Sequence, residues 1–110
     1  MYRHISVFTF SEKPKNGRTK VENMETIRTY LENVPSLYPA MKASQVGVAI
    51  PGEVPDLPEG ACPIFGDLVQ IADYDTLEDL NGYPPSKAHM DLVALSDPML
   101  EKVTAIDFEF

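Results

Sequence analysis

The sequence predicts an α+β fold, in which a four-stranded antiparallel sheet carries helices on one face. Apolar residues alternate with period two, as in strands, in four segments, which are 2–10, 43–50, 64–74 and 103–110. They recur at intervals of three and four, as in helices, between 19 and 34 and in two short pieces between 75 and 95. The order strand, helix, strand, strand, helix, strand is that of the ferredoxin-like split βαβ arrangement.

The first strand is apolar on both of its faces. One face carries Ser6 and Phe8 beside His4, and the opposite face carries Ile5 and Val7. A strand of this kind is usually covered on both sides. We therefore expect helices on one side of the sheet and the second subunit of a homodimer on the other. The residues predicted to form this dimer face are Ile5, Val7, Val69, Ile71, Ile106 and Phe108.

The first helix has recognisable start and stop signals. Thr19 and Glu22 form a capping-box pattern at its start. The apolar stripe predicted to pack against the sheet consists of Val21, Met24, Ile27, Leu31 and Val34. Pro35 predicts that the helix ends at Val34, because the residue before a proline disfavours the helical conformation.

The later connections are predicted from turn residues. Residues 51–63 are rich in proline and acidic residues and lack periodicity, which favours a mobile loop. Asp75 with Glu78 predicts the start of a short helix, and Asn81-Gly82 predicts its end at a residue with positive φ. Ser86 predicts the cap of a second short helix.

Composition limits the possible partners and location. A formal net charge of -8 makes nucleic acid and anionic membrane surfaces electrostatically unfavourable partners. Cys62 is the only cysteine, which excludes a disulfide within the chain and suits a reducing compartment. We see neither a signal peptide nor an apolar segment of the roughly 20 residues that a membrane-spanning helix requires. We expect one domain, residues 1–110, in the cytoplasm.

Strand pairing predicts a cluster of polar groups. In an antiparallel pair, the start of one strand lies beside the end of the other. If the first and last strands are neighbours, His4 lies near Asp107. The stretch that leads into the last strand adds the phenol of Tyr83 and the imidazole of His89. The sequence therefore predicts a polar cluster in a small pocket.

Several short segments make the chain similar to a known family. They are residues 4–10 (HISVFTF), 39–42 (PAMK), 75–80 (DTLEDL), His89, Pro98 and 106–108 (IDF). At these separations they resemble the stress-responsive A/B barrel family, whose members are dimeric alpha-beta barrel (Dabb) domains. The resemblance implies a homodimer in which two four-stranded sheets pack face to face as a barrel, with the helices outside. The chain differs from the family pattern His-Pro-x-His at residues 86–89, which read SKAH, and in its long loop 51–63.

The resemblance also implies a set of site residues. From Tyr83 to Asp107 the chain is similar, without gaps, to a plant polyketide cyclase of this family. In that enzyme a histidine and a tyrosine act on the substrate, and a carboxylate supports the histidine. The matching catalytic residues are His89, Tyr83 and Asp107, with His4 as a further pocket histidine.

These residue types suit acid–base chemistry. A neutral imidazole such as His89 can accept a proton near pH 7, and a carboxylate such as Asp107 can stabilise the imidazolium that forms. The Tyr83 phenol can donate to a carbonyl oxygen as negative charge develops in an aldol-type closure or an enolisation. The structural alternative is that His89 packs the last helix, Tyr83 covers the Pro84-Pro85 turn and Asp107 binds a backbone amide.

Strand alternation and the resemblance together predict a pocket between the sheet and the helices. Besides the three catalytic candidates, its predicted lining consists of His4, Ser6, Phe8, Ile27, Tyr30, Leu31, Ala72, Val103 and Ala105. We expect a small organic ligand and no metal, because the histidine and carboxylate candidates come from separated elements without a ligand-spacing motif. No cofactor is predicted, because no glycine-rich phosphate loop follows a strand.

Three functional classes remain open at this point. The first is a cofactor-independent lyase or cyclase that acts on a small carbonyl compound. The second is a non-catalytic small-molecule binder, and the third is a stress-responsive structural dimer. An enzyme requires His89 to be reachable by a ligand, whereas a structural dimer requires it to be buried and hydrogen-bonded.

Overall fold

Three helices pack against one face of a four-stranded antiparallel sheet in the computed structural model, which describes residues 1–50, 57–61 and 64–110. The elements in chain order are β1 (Tyr2–Phe10), α1 (Lys20–Leu37), β2 (Met41–Val48), β3 (Leu68–Tyr74), α2 (Leu77–Gly82), α3 (Lys87–Ser96) and β4 (Leu100–Glu109). The strand order is β2-β3-β1-β4. The predicted ferredoxin-like fold is confirmed. The expectations for Cys62 and for most of the loop 51–63 lie outside the described residues.

The two central strands bury every second side chain on the helix side of the sheet. These buried positions are Ser6, Phe8 and Phe10 of β1 and Leu68, Gln70, Ala72 and Tyr74 of β3. The register places Ile5 opposite Ile71 on one side and Ile106 on the other, so these three lie on the open face. The period-two pattern of the sequence therefore assigns the faces of the central strands correctly.

Strand pairing moves the predicted starts of three strands. β2 begins at Met41 rather than at 43, because Met41 already pairs with Tyr74 before a bulge. β3 begins at Leu68 rather than at 64, where its pairing with Phe8 starts. β4 begins at Leu100, which pairs with Phe10 across an irregularity in the register. Hydrogen bonds between strands determine where each strand begins. The residue pattern of a single strand carries no information about these bonds.

Pro35 does not end α1, contrary to the prediction. The helix continues to Leu37, and the Tyr38 backbone N–H donates to the Val34 carbonyl oxygen at 2.8 Å. A proline at position 35 deprives the Leu31 carbonyl of its helical donor. The Ser44 hydroxyl of β2 donates to this carbonyl oxygen at 2.7 Å instead. A tertiary hydrogen bond thus replaces the one that proline removes.

Ser44→Ala is expected to lower the free energy of unfolding by about 1–3 kcal/mol, because it leaves the buried Leu31 carbonyl without a donor and the Gln70 amide without an acceptor. Urea denaturation followed by circular dichroism measures this change. The matched control is Ser36→Ala, which removes an exposed hydroxyl that donates to the Asn33 carbonyl oxygen at 2.7 Å. We expect less than about 0.5 kcal/mol for the control. Equal losses for the two variants would contradict this explanation of the Pro35 helix.

The buried face of α1 differs from the predicted stripe at its start. Ile27, Leu31 and Val34 are fully buried, as expected. Val21 is 74% exposed, so its predicted place in the core is wrong. Asn23 is buried instead, and its side-chain amide pairs with that of Asn16 at 2.9 Å. A hydrogen-bonded amide can occupy this buried position, because its polar atoms have partners.

The short helices begin and end by different means. The N-cap of α2 is Thr76 rather than the predicted Asp75, since the Thr76 hydroxyl accepts from the Asp79 backbone N–H at 3.1 Å. Gly82 lies inside α2 and does not have the positive φ that was expected of it. A Cβ atom there would lie 2.6 Å from the Tyr38 hydroxyl oxygen, so close packing explains the glycine. Ser86 caps α3 as predicted.

Candidate functional site

A cavity of about 260 Å³ lies between α3 and the helix side of the sheet. Its lining residues are His4, Ser6, Phe8, Gln70, Tyr83, His89, Leu92, Val93, Ser96, Leu100, Val103 and Ala105. Ser6 and Phe8 of β1 are buried, whereas their neighbours on β4, Ala105 and Val103, are exposed. The helices therefore cover β1 more fully than β4, which leaves the cavity open along β4.

Seven of the predicted pocket residues line this cavity. They are His4, Ser6, Phe8, Tyr83, His89, Val103 and Ala105. Ile27, Leu31 and Ala72 do not, because all three are fully buried in the core between α1 and the sheet. The Tyr30 hydroxyl donates to the Ala88 carbonyl oxygen at 2.6 Å, which ties α1 to α3 behind the cavity. Asp107 lies beside the cavity and reaches it through His4.

Five lining residues are absent from the predicted set. They are Gln70, Leu92, Val93, Ser96 and Leu100. Leu92 and Val93 follow His89 by three and four residues, so helical spacing from that histidine could have identified them. Gln70 shares a face of β3 with Ala72, which was in the predicted set, so strand alternation could have identified it too.

His4 and Asp107 are directly hydrogen-bonded. They are cross-strand neighbours in the β1–β4 register, and the His4 Nδ1 atom lies 2.5 Å from the Asp107 Oδ1 atom. The predicted proximity of these two residues is confirmed. An ionised carboxylate can only accept, so Nδ1 carries the proton and the Nε2 atom of a neutral His4 has a free lone pair. The His4 side chain is 26% exposed, which keeps it reachable.

His89 has a different partner from the one expected. Its Nδ1 atom lies 3.0 Å from the Pro84 carbonyl oxygen, while Asp107 pairs with His4. A carbonyl oxygen only accepts, so this contact also places the proton on Nδ1 and leaves Nε2 as the acceptor of the neutral ring. The carboxylate that the sequence assigned to His89 thus supports the other histidine. His89 is partly exposed at the cavity wall, at the start of α3.

The Tyr83 phenol is buried without a described hydrogen-bond partner. Tyr83 is 5% exposed, and no described residue bonds its hydroxyl. Its ring packs edge-on against His89, with 4.9 Å between the ring centroids. Burial, reinforced by nearby Tyr30, raises the pKa of the Tyr83 phenol well above its usual value. The phenol therefore stays protonated at physiological pH.

The cavity has one polar and one apolar end. The elements β1, β4 and α3 lie side by side here, and each has a polar side chain at the same end of the cavity. His4, Asp107 and His89 lie at the start of β1, the end of β4 and the start of α3. Phe8 and Val103 lie opposite each other at the far end of the β1–β4 pair. The titratable groups are thus concentrated at one end of the cavity, and Ser6 lies between His4 and Phe8 on β1.

The described residues form neither a metal-binding cluster nor a membrane-spanning helix. Within residues 1–50, 57–61 and 64–110, no group of three or more His, Cys, Asp or Glu side chains is placed to hold a metal ion. Among the helices that the structure describes, none combines the length and the apolar character needed to span a membrane.

The open face of the sheet carries apolar side chains that none of the three described helices covers. Ile106 is 63% exposed and Phe108 is 40% exposed. At one margin Arg3 donates two hydrogen bonds to Asp73, at 2.7 and 2.9 Å, which hold the pKa of that carboxyl below its usual range. The Arg3 guanidinium also lies 4.7 Å from the Phe110 ring centroid. An apolar centre with a charged margin is typical of a protein–protein interface.

The family model described as "Stress responsive A/B Barrel Domain" (Dabb) matches residues 2–110. The chain belongs to this family. Its strand order, its helix-covered face and its apolar open face are thus those of a Dabb domain. A comparison with curated protein sequences finds no match.

Solved structures share the fold of this Dabb domain at low sequence identity. A protein from Arabidopsis thaliana has a TM-score of 0.75 and 19% identity, covering 100% of this chain and 95% of that one. A dimeric protein of unknown function from Bacteroides fragilis has a TM-score of 0.73 and 17% identity, covering 99% and 95%. A hydroxynitrile lyase from Passiflora edulis has a TM-score of 0.70 and 17% identity, covering 97% and 90%.

Proposed function

We propose that this Dabb domain is a homodimer whose cavity binds a small carbonyl compound and catalyses proton transfer on it without a cofactor. Aldol-type cyclisation, enolisation and lyase cleavage are the candidate reactions, because each forms or consumes negative charge on a carbonyl oxygen. The fold shared with a hydroxynitrile lyase supports lyase chemistry as a member of this group. The proposed partners are a second copy of the chain and the ligand, with neither nucleic acid nor membrane.

One observation carries the proposal: two imidazoles and a buried phenol that no described residue hydrogen-bonds line the same small cavity. The Nδ1 contacts of His4 and His89 leave both Nε2 atoms able to accept a proton. The Tyr83 phenol supplies a hydrogen-bond donor that stays protonated. A base near the carbon that loses the proton and a donor near the carbonyl oxygen are the minimum that enolisation needs.

The geometry supports separate roles for the two histidines. His89 packs against Tyr83, so a carbonyl group there has both a proton acceptor and an oxygen-binding donor beside it. We assign His89 as the base and Tyr83 as the donor to the developing oxyanion. Asp107 accepts from the His4 Nδ1 atom and holds the ring in place, and we assign His4 to return a proton to the product. Asp107 is then a positioning residue and not a direct partner of His89.

The proposal is tested by a thermal-shift screen of aromatic ketones and polyketide-like compounds. A ligand at 100 times its Kd stabilises the folded protein by about 2.7 kcal/mol, which is a readily measured rise in Tm. We expect hits for the parent and for His89→Ala, and weaker hits for Tyr83→Phe, since the variant lacks the donor. Tyr2→Phe, outside the cavity, is the matched control and should behave as the parent. Turnover assays on each hit follow.

The alternative functions make different predictions in the same screen. A non-catalytic binder gives hits without turnover. A structural dimer gives no hits, and the hydrogen bond from His89 to the Pro84 carbonyl oxygen, which fixes the start of α3, is the observation that favours it. A screen without a single stabilising carbonyl compound would therefore reject both the catalytic function and the binding of carbonyl compounds.

A further inference from the structure

Gln70 places a buried amide in the wall of the cavity. It is 2% exposed and lies in the middle of β3, where it pairs with Ser6 of β1 and Val46 of β2. Its same-face neighbours on β3, Leu68 and Ala72, are apolar. Burying an amide costs free energy unless its donors and acceptor are hydrogen-bonded. The partners of this amide therefore indicate its role.

A chain of hydrogen bonds fixes which way the Gln70 amide points. The Ser44 hydroxyl donates to the Leu31 carbonyl oxygen, the one that Pro35 leaves without a helical donor. With its proton committed there, the Ser44 oxygen can only accept, and the Gln70 Nε2 atom donates to it at 2.9 Å. The amide NH2 is therefore tied to β2. The amide oxygen, Oε1, is left on the side of Ser6.

The Oε1 atom has spare capacity to accept a hydrogen bond. Its described contact is with the Ser6 hydroxyl at 3.5 Å, whereas a good O–H···O hydrogen bond is about 2.7–2.8 Å. Ser6 is also 2% exposed, and both residues line the cavity. A purely structural amide in this position would gain from a short bond to Oε1. The long contact with Ser6 leaves Oε1 able to accept a hydrogen bond from a ligand group.

We propose that Gln70 Oε1, beside Ser6, is a subsite that accepts a hydrogen bond from a ligand hydroxyl. This inference rests on the proposed function and narrows the substrate class to small hydroxylated carbonyl compounds. Ser6 lies two residues along β1 from His4, on the same face, which corresponds to about 7 Å. The ligand hydroxyl is thus separated from His4, which returns the proton to the product, by about the length of an aromatic ring, and a para-hydroxylated aryl ketone spans this separation.

The test compares 4′-hydroxyacetophenone with 4′-methylacetophenone, which has a similar shape and no donor. Their Kd values are measured by NMR titration for the parent, Gln70→Met and the matched control Gln45→Met, an exposed glutamine on β2. We expect the parent to prefer the hydroxyl compound about 5-fold, the size of one neutral hydrogen bond. Gln70→Met should abolish the preference, and Gln45→Met should retain it. A preference that survives Gln70→Met would overturn the proposal.

Ser6→Ala keeps the proposal testable if Gln70→Met fails to fold. This variant removes the hydroxyl that shares Oε1, so the preference for 4′-hydroxyacetophenone should persist or rise. Its loss in Ser6→Ala would show that Gln70 is not the acceptor.

A second probe pair without a carbonyl group separates this inference from the proposed function. 4-Ethylphenol should bind about 5-fold more tightly than 4-ethyltoluene if the hydroxyl subsite exists. Binding of the phenol with no binding of either acetophenone would support the subsite and reject the carbonyl function. Binding of both acetophenones with equal affinity would reject the subsite alone. If none of the four compounds binds, both proposals are wrong.

Discussion

Replacing His89 with alanine is expected to lower kcat/KM by about 100-fold to 10,000-fold for any carbonyl compound that the protein turns over. This is the usual contribution of a positioned side chain that transfers a proton. Ligand binding should largely survive, because the remaining cavity wall, including Leu92 and Val103, is apolar and unchanged. Steady-state kinetics and the thermal shift of the same ligand, measured on the same preparation, separate the two effects.

Met90→Ala is the control for this experiment. Met90 is the next residue on α3, is 61% exposed and does not line the cavity, so kcat/KM should stay within about 2-fold of the parent. If His89→Ala turns over substrate as well as the parent does, His89 is not the base. A loss confined to His4→Ala and Asp107→Asn would then assign the base to the hydrogen-bonded pair.

Ile106→Arg is expected to convert the proposed homodimer into a monomer. Ile106 lies on the open face of the edge strand β4, opposite Ile5 of β1, and is 63% exposed in the single chain. Burying an isoleucine contributes about 1.5–3 kcal/mol, and twofold symmetry doubles the loss. A loss of about 3–6 kcal/mol raises the Kd of the dimer by about 100-fold to 10,000-fold. Sedimentation at low micromolar concentration measures this change in the Kd of the dimer.

Val21→Arg is the matched control for the dimer. Val21 is also an exposed β-branched residue, at 74%, but it lies on α1, on the other side of the sheet. The variant should sediment as the parent does. A parent chain that sediments only as a monomer, or an Ile106→Arg variant that stays dimeric, would contradict a dimer through the open face.

Local sequence patterns were sufficient to predict the fold and part of the candidate site. Alternation along β1 and β3 follows from the period of a strand, which requires no knowledge of its neighbours. The contact between His4 and Asp107 follows as well, because antiparallel pairing of the first and last strands brings the start of one to the end of the other. The capping hydroxyl of Ser86 is likewise a local signal.

Contacts between segments that are distant in sequence determined the features of the fold and the site that local patterns did not predict. The persistence of α1 beyond Pro35 depends on a hydroxyl that β2 brings to the Leu31 carbonyl oxygen. Ile27 and Leu31 lie in the core, outside the cavity, because α1 covers the sheet closely while β4 stays uncovered. Residue types and spacing cannot specify such distances.

The sequence alone determined that this chain is a ferredoxin-like domain with two histidines, a phenol and a carboxylate on its helix side. Only the tertiary structure decided that the carboxylate belongs to His4, that His89 bonds the Pro84 carbonyl oxygen and that the Gln70 amide is tied to Ser44. The physical reason is that a hydrogen bond forms only where the donor and the acceptor lie within about 3 Å of each other, and tertiary packing sets that separation.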